Sequence, residues 1–249
     1  MRPFIASSIA LILAALPSGR APAQPAVDEA FKTFTAPMVF YVAKGAPDSC
    51  GPGCSEWIAA DGAFDADTDK RLSELLKSLG GRKPPIFFHS IGGHMGVSRI
   101  VGRMLRQRQM AASVGETIPE QCRRRDAVCR EITASNRELK ARLRIDGAFC
   151  HSACLYALIG ASVREVPAGA HVGIHSARPP PESIASSRKP GALTQEQLHA
   201  ARKKYVSEMG SDPVWVDLAA TIPSDQLRLL SREEIERFRI EKRASARSQ

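Results

Sequence analysis

The sequence predicts an α/β fold in which short buried strands run into helices through tight turns. One such unit lies at residues 85–108, where an apolar strand meets the double glycine Gly92-Gly93 and a helical run follows. A second unit lies at residues 148–157, where an apolar strand turns at Ser152 into a continuous apolar run. Neighbouring units of this kind form a sheet that is covered by helices.

The other elements follow from the spacing of apolar residues and from the turn residues between them. The clearest is a helix over residues 67–79, where leucines recur at helical spacing and the double glycine Gly80-Gly81 stops the run. The remaining predicted elements are strands at residues 37–42, 57–60, 87–88 and 110–114, a helix at residues 194–209, and buried faces at residues 214–218 and 227–230.

The composition favours one domain. The chain has 249 residues, 43% of them hydrophobic, and no change of composition divides it. We assign this domain to residues 36–243, with a short tail at 24–35 and a frayed end at 244–249. Residues 116–146 are polar and rich in arginine, so we expect a partly helical insertion that a disulfide pins to the body. The proline-rich segment 179–190 is expected to be a mobile loop in a position that suits a lid.

The first 23 residues are typical of a secretory signal peptide. Arg2 precedes an apolar run at residues 4–16, and the small residues at 21–23 provide a cleavage site. The run is too short to span a bilayer comfortably. We therefore expect residues 1–23 to be removed and the mature chain to be periplasmic or secreted. The alternative is that the segment stays as an N-terminal membrane anchor.

Cysteine usage agrees with export. An even number of cysteines in an exported chain favours disulfides, and local pairing is our hypothesis among the many connectivities that six cysteines allow. The close pairs are Cys50 with Cys54, Cys122 with Cys129, and Cys150 with Cys154. The alternative is a zinc site formed by Cys150, His151, His171 and His175. Cys150 or Cys154 would be a nucleophile only in the reduced state.

Ser152 is the candidate nucleophile. A serine hydroxyl needs a base that takes its proton, and His175, on a later predicted strand, is the candidate base. The alternative is that Ser152 only caps the helix that follows it. The histidines His89, His94 and His151 also lie near the predicted cleft, where we expect structural roles for them.

Backbone N–H groups near this serine would stabilise a negatively charged oxygen. Paired glycines let a backbone approach a substrate closely with its N–H groups directed outward. We therefore predict that Gly92 and Ala153 donate to the oxyanion, with Gly93 sharing or replacing the role of Gly92. The alternative is that the glycines form only a tight turn into a helix.

Three motifs together resemble a known family. They are Ser90-x-Gly92-Gly93, the stretch Cys150-His151-Ser152-Ala153, and the segment 166–175 that ends in Gly173-Ile174-His175. In this order they resemble the Clp-type serine proteases and signal-peptide peptidases of the crotonase-like superfamily, and residues 230–240 resemble the closing helix of that family. More narrowly, residues 50–62 resemble a segment of exported Clp-like proteins of α-proteobacteria. The resemblance implies repeated ββα units, a serine hydrolase and a homo-oligomer.

The resemblance also bears on the third member of a catalytic triad. It places Leu227 where the family usually has an aspartate, and the nearest acid is Asp225, with Asp217 as a further candidate. We predict that Asp225 orients His175. The alternative is that residues 223–225 simply begin a helix.

Charge and motifs limit the partners. The chain has 35 Lys and Arg against 26 Asp and Glu, a formal net charge of +9. The arginine run at residues 123–125 has no interleaved aromatic residues, which argues against nucleic-acid binding and leaves a weak contact with an anionic membrane surface. No phosphate-binding loop of the Gly-x-x-x-x-Gly-Lys type occurs, and no cofactor is implied.

The predicted function is that of an exported serine hydrolase, a peptidase acting on a peptide or protein substrate. The alternative is a non-catalytic periplasmic binding or scaffold protein on the same fold. It is favoured by three departures from the family pattern, at Ile91, Cys154 and Leu227. A third hypothesis is an acyl-group enzyme that uses the same oxyanion loop on a thioester.

Overall fold

The computed structural model describes residues 35–122, 127–134, 138–177 and 193–243. The predicted signal peptide, nearly all of the N-terminal tail, the predicted loop 179–190 and the C-terminal end 244–249 lie outside these residues. None of the helices in the described ranges is long and apolar enough to cross a membrane.

The described chain alternates strands and helices, as the sequence predicts. In order, the elements are β1 (Val39–Lys44), β2 (Glu56–Asp61), α1 (Thr68–Ser78), β3 (Ile86–His89), α2 (Met95–Gln107), β4 (Ala111–Val114), β5 (Glu116–Pro119), α3 (Ala127–Ala134), β6 (Leu139–Arg144), β7 (Phe149–His151), α4 (Ala153–Gly160), β8 (Val163–Glu165), β9 (His171–Ile174), α5 (Gln195–Glu208), α6 (Val214–Ala220), β10 (Arg228–Leu229) and α7 (Arg232–Arg237).

The strands form two sheets. The larger has the order β5-β6-β1-β2-β3-β4-β8, and the smaller has the order β10-β9-β7. In the larger sheet β2, β3, β4 and β8 are parallel neighbours, while β1 and β2 form an antiparallel pair. Beyond β3, Ser90 pairs with Cys150 of β7, which joins the end of the larger sheet to the smaller one. The predicted α/β class is thus confirmed.

Helix α4 lies at the centre of the core. All eight of its residues are buried, so its sequence is apolar on every side, as expected for a helix with no solvent face. Helix α2 packs closely on it, because Gly102 and Gly160 have no side chains and their backbones touch: a Cβ at Gly160 would overlap the Gly102 backbone. The same hydrophobic cluster includes residues from Met38 to Ile240.

Arg164 of β8 connects residues 209 and 239–240 to this core through hydrogen bonds. Its side chain is only 1% exposed, and its guanidinium donates to five carbonyl oxygens. Those acceptors belong to Ile159, Ala161, Met209, Arg239 and Ile240. A buried guanidinium is tolerated when its donors are paired in this way.

Residues 116–146 form strands as well as the helix that the sequence predicts. The segment is partly helical, as expected, but it also supplies β5 and β6 to the larger sheet, where β6 pairs with β1. Trp57 of β2 donates from its indole nitrogen to Thr117 Oγ1 at 2.9 Å, so the segment also closes over the core. Its disulfide joins Cys122 to Cys129 inside the segment and does not pin it to the body.

The predicted local pairing of cysteines is confirmed. The three disulfides are Cys50–Cys54, Cys122–Cys129 and Cys150–Cys154. The third one joins the end of β7 to the first turn of α4. The alternative of a zinc site that includes Cys150 is therefore wrong, because the sulfur of that cysteine is bonded to another sulfur. The described residues also hold no group of three or more His, Cys, Asp or Glu that could bind a metal ion.

Candidate active site

Ser152 occupies a strained turn between β7 and α4. Its backbone has φ 54° and ψ −120°, a conformation that residues with a side chain adopt rarely. Its N–H donates to the carbonyl of Gly173 in β9 at 2.8 Å, which holds the turn against the neighbouring strand. Its side chain makes no capping hydrogen bond to the helix. The hydroxyl is therefore not engaged as a helix cap, which was the alternative interpretation of this serine.

The double glycine lies directly beside this turn. Gly92 and Gly93 have φ values of 103° and 126°, a region that favours glycine. A Cβ at Gly92 would come within 2.8 Å of Ser152 Cβ and 2.9 Å of Ala153 N. The absence of a side chain at residue 92 thus lets the loop backbone touch the serine turn.

Ser90 determines which glycine N–H remains available. The N–H of Gly92 donates to Ser90 Oγ at 3.1 Å within the loop itself. The predicted oxyanion donor Gly92 is therefore already engaged, and Gly93 is the better candidate. Gly93 is the residue that we predicted would share or replace the role of Gly92.

Phe64 orients Gly93. The N–H of Phe64 donates to Gly92 O at 2.8 Å, and the N–H of His94 donates to Phe64 O at 2.7 Å. In this parallel bridge the N–H of Gly93 points away from Phe64. No acceptor within the described residues takes the Gly93 N–H. The loop therefore presents one free donor.

Ala153 presents a second donor. It is the first residue of α4, and the N–H groups of the first helical turn have no acceptor within the helix. These groups also carry the positive end of the helix dipole. Ala153 N lies close to the Gly92 backbone, so the two predicted sources of N–H groups, the glycine loop and the residue after the serine, are adjacent.

The parallel pairing of β7 and β9 sets the position of His175. His151 lies opposite Gly173 in this register, so Ser152 and His175 both follow the carboxyl ends of adjacent strands. His175 Nδ1 lies 2.7 Å from the carbonyl oxygen of Ser176. Since a carbonyl oxygen can only accept, Nδ1 carries a proton, and in the neutral imidazole the lone pair is then on Nε2. This tautomer is the one that a general base needs at Nε2.

Neither candidate acid reaches His175. Asp225 is exposed in a turn closed by the hydrogen bond from Gln226 N to Pro223 O, and it makes no hydrogen bond to His175. Asp217 instead bonds His199 Nε2 at 2.7 Å and Lys203 Nζ at 2.6 Å. Residues 223–225 do not begin a helix either. In the described residues, the acceptor for His175 is a backbone carbonyl.

Leu227, where the resembled family usually has an aspartate, lies at the edge of the site. A Cβ at Gly173 would come within 2.9 Å of Leu227 Cδ1 and 3.1 Å of His151 Cδ2. Gly173 and His175 are two residues apart on an extended segment, so their side-chain positions share one face. Leu227 is thus on the His175 side of β9, although it is 44% exposed.

The nearby histidines, for which we expect structural roles, lie at the start of α2 and against the ring of Phe149. His94 caps α2, because its Nδ1 accepts from Val97 N at 3.2 Å. His89 is buried, with its ring centroid 4.0 Å from that of Phe149. His151 stacks on the ring of Phe149 as well, at 4.8 Å between centroids. Burial, with smaller effects from His171 and His175, lowers the pKa of His151 to about 4.

Sequence reasoning missed three contributors to this site. The sequence pattern assigns no role to Ser90 beyond its place in a motif, although its hydroxyl oxygen accepts the hydrogen bond from Gly92 N–H. Phe64 and Gly173 act through backbone groups, which no side-chain pattern reveals. The only available signal was the serine two residues before the first glycine.

Comparisons with known proteins give similarity of structure and not of sequence. No protein-family model matches the chain, and no curated protein matches it. ClpP1 from Listeria monocytogenes is 13% identical, with 86% of this chain and 92% of that chain covered and a TM-score of 0.43. A mutant of the same protein is 14% identical with the same coverage and TM-score. A mutant of a membrane-bound stomatin-specific protease is 12% identical over 72% of this chain and 73% of that one, with a TM-score of 0.42.

Proposed function

We propose that this protein is a serine hydrolase, and more narrowly a peptidase, with Ser152 as nucleophile and His175 as general base. The observation that carries the proposal is the strained turn at Ser152 beside the free N–H groups of Gly93 and Ala153. A strained strand-to-helix turn exposes a serine hydroxyl, and adjacent backbone donors stabilise the oxyanion formed when it attacks a carbonyl.

The proposed reaction has two halves. His175 Nε2 accepts the proton of Ser152 Oγ as that oxygen bonds to the substrate carbonyl carbon, and the carbonyl oxygen becomes an anion held by Gly93 and Ala153. The anion collapses, the bond to the leaving amine breaks, and His175 gives its proton to that amine. Water then repeats the sequence on the acyl-serine and releases the free acid.

The hydrogen bond from His175 to the Ser176 carbonyl supports a serine and histidine pair without a carboxylate. A carbonyl fixes the tautomer, but it stabilises the imidazolium less than a negatively charged acid would. Asp225 stays a proposed third member only if it moves to His175 when substrate binds. We expect turnover to be slow for a serine hydrolase.

Export is part of the proposal. Three disulfides in one chain are typical of an oxidising compartment, which supports a periplasmic or secreted protein. The substrate would then be a peptide or protein in that compartment. A homo-oligomer is also proposed, in keeping with the resemblance of the motifs.

A second candidate function is a non-catalytic binding or scaffold protein. The observation that favours it is the absence of any acid at His175 among the described residues, with Leu227 where the resembled family has one. A protein that kept the fold and lost the acid would bind peptides without cleaving them.

Digestion of a quenched fluorogenic peptide library by the oxidised protein tests the choice. The proposal predicts cleavage that is lost in Ser152→Ala and retained in Ser207→Ala, which removes an exposed hydroxyl from α5. Cleavage that survives Ser152→Ala would assign the activity to another residue. Retention of peptides without cleavage by the wild-type protein would favour the binding function.

A further inference from the structure

Two arginines have no hydrogen-bond or ion-pair partner among the described residues. Arg99 of α2 and Arg202 of α5 are both partly buried, and neither makes a hydrogen bond or an ion pair with any described residue. The Nε atom of Arg99 is fully buried without an acceptor. Other arginines of α2 are satisfied: Arg103 pairs with Glu208, and Arg106 donates to the carbonyl of Met209. In the part of the chain that the structure describes, the arginines of α2 nearer its end thus have acceptors, whereas Arg99 has none.

The contacts of α2, α4 and α5 show that these helices run in the same direction. Arg106 near the end of α2 donates to the carbonyls of Gly160 and Met209, which end α4 and α5. Earlier along the helices, Gly102 lies against the Tyr156 carbonyl and the Tyr205 hydroxyl. Toward their first residues, α2 leads back to the double glycine and α4 leads back to Ser152.

Arg99 and Arg202 lie one turn back from that common level. Arg99 is three residues before Gly102, and Arg202 is three residues before Tyr205. The matching separations place the two guanidinium groups on neighbouring helices at the same height. On α4 a step of four residues leads back from Tyr156 to Ser152. Two positive charges without a partner among the described residues thus lie on α2 and α5, on the side of Gly102 and Tyr205 that is nearer the first residues of these helices.

Tyr156 connects these charges to the candidate nucleophile. It is four residues after Ser152, in the first turn of α4, the helix that begins directly after the serine. Trp215 and Tyr205 pack around it, with ring centroids at 5.0 and 6.1 Å. Burial raises the pKa of Tyr156, and the positive charges of Arg202 and Arg99 oppose that rise. Tyr156 therefore belongs to the helix that follows the serine and packs on α5, the helix that carries Arg202.

A partly buried arginine without an acceptor loses hydration without a compensating hydrogen bond. A ligand carboxylate would supply the acceptor, and a guanidinium binds a carboxylate through two parallel hydrogen bonds. Two acids of this region are already paired with other side chains. Asp217 binds His199 and Lys203, and Glu208 binds Arg103.

We propose that Arg99 and Arg202 form an anion subsite beside Ser152 that binds a carboxylate of the peptide substrate. This inference rests on the proposed function for the position of the peptide. The carboxylate comes from one of two sources, an Asp or Glu side chain next to the attacked carbonyl or the free C-terminus of the peptide. In either case the protein prefers acidic peptides over neutral ones.

Binding to the oxidised Ser152→Ala protein tests the subsite without requiring cleavage. The probes are four fluorescent alanine-rich peptides: a central Glu or a central Gln, each with an amidated or a free C-terminus. We expect the Glu peptide to bind about tenfold more tightly than its amidated Gln counterpart, the strength of one charge-assisted contact. If the carboxylate that binds is the free C-terminus, the Gln peptide with a free C-terminus binds more tightly than the amidated Gln peptide.

Substitutions test whether the tighter binding of the acidic peptide depends on the two arginines. Arg99→Gln and Arg202→Gln should each abolish the preference, whereas Lys204→Gln, which removes an exposed charge from α5, should retain it. Should Arg99→Gln fail to fold, Arg99→Lys serves, with a reduced preference expected. Equal binding of all four peptides, or a preference that survives both arginine substitutions, would overturn the subsite.

Labelling of wild-type Ser152 by a fluorophosphonate separates this inference from the proposed function. Labelling without any preference for acidic peptides overturns only the subsite. A preference that depends on Arg99 and Arg202 without labelling supports the subsite and contradicts the hydrolase.

Discussion

Gly92 lies in direct contact with Ser152, so that a Cβ at residue 92 would come within 2.8 Å of the Cβ of the serine. This contact couples two segments that are far apart in sequence, the loop after β3 and the turn after β7. It also brings the glycine loop next to Ala153, whose N–H group follows the serine. The site therefore depends on a residue whose only contribution is the lack of a side chain.

Gly92→Ala should disable the site. The added methyl group overlaps His151 O, Ser152 Cβ and Ala153 N and must displace the serine turn. Misplacement of a reacting group by about 1 Å can reduce a rate about a hundredfold, and we expect a loss of that size in the rate of serine labelling. Gly147→Ala is the matched control, because Gly147 also has a positive φ, 74°, but no atom within 4 Å of the added carbon. A Gly92→Ala protein that labels as fast as this control would contradict the contact.

Ser152→Gly should stabilise the protein while removing its hydroxyl. The strain of a non-glycine residue at φ 54° is relieved, and this gain exceeds the entropy that glycine adds to the unfolded chain. We expect the free energy of unfolding in urea to rise by about 1 kcal/mol. Ser152→Ala keeps its Cβ and hence the strain, so its stability should stay near that of the wild type. Equal stabilities of the two variants would argue against a strained turn.

Leu227→Asp should strengthen His175 as a base. The side chain at position 227 lies over Gly173, on the face of β9 that His175 shares, so a carboxylate there could replace the Ser176 carbonyl as acceptor. We expect labelling to be about tenfold faster, a fraction of what a fully assembled acid and base contribute. Val214→Asp, at an exposed valine of α6, is the control and should change nothing. A folded Leu227→Asp protein with unchanged labelling would show that the acid position lies elsewhere.

His151 should make stability depend on pH. Burial lowers the pKa of His151 from its ordinary value of 6.5 to about 4 in the folded state, so the unfolded chain binds a proton first as the pH falls. The stability linked to neutral His151 is present above pH 6.5 and is lost as the pH falls from 6.5 toward 4. Its full size is about 3 kcal/mol.

His151→Phe tests this linkage, because phenylalanine keeps a ring beside Phe149 but does not titrate. Urea denaturation at several pH values should show a smaller loss of stability on acidification than in the wild type. The control is His171→Gln, at an exposed histidine, which should keep most of the wild-type dependence. Identical acid sensitivity of wild type and His151→Phe would mean that the imidazole is hydrated.

Local patterns were enough to predict the units that carry the site. Apolar runs ending at Ser152 and at the double glycine predicted two strand-to-helix turns, and both are present. The three disulfides also join cysteines that are close in sequence, where pairing needs no knowledge of the fold.

The strands of residues 116–146 were missed because charge obscured their pattern. In β6 the residues Leu139, Ala141 and Leu143 alternate with Lys140, Arg142 and Arg144, which is the period of a strand with one face toward water. The abundance of arginine suggested a solvated insertion instead. The alternation of apolar and charged residues predicts the strand β6, whereas the arginine content alone indicates a solvated segment.

The donor in the glycine loop could not be predicted from the sequence. Gly92 and Gly93 are equivalent as residue types, and the choice between them depends on the Ser90 hydroxyl and on pairing with the distant Phe64. The acceptor of His175 is likewise a backbone carbonyl, which no residue type marks. Such features arise only when separate segments meet.

Labelling of the oxidised protein with a fluorophosphonate, followed by mass mapping of the adduct, tests the central claim most directly. The account predicts one adduct on Ser152, absent in Ser152→Ala and strongly reduced in His175→Ala, with Ser207→Ala labelled like the wild type. An adduct on another serine, or no adduct in a protein shown to be folded, would contradict an activated Ser152.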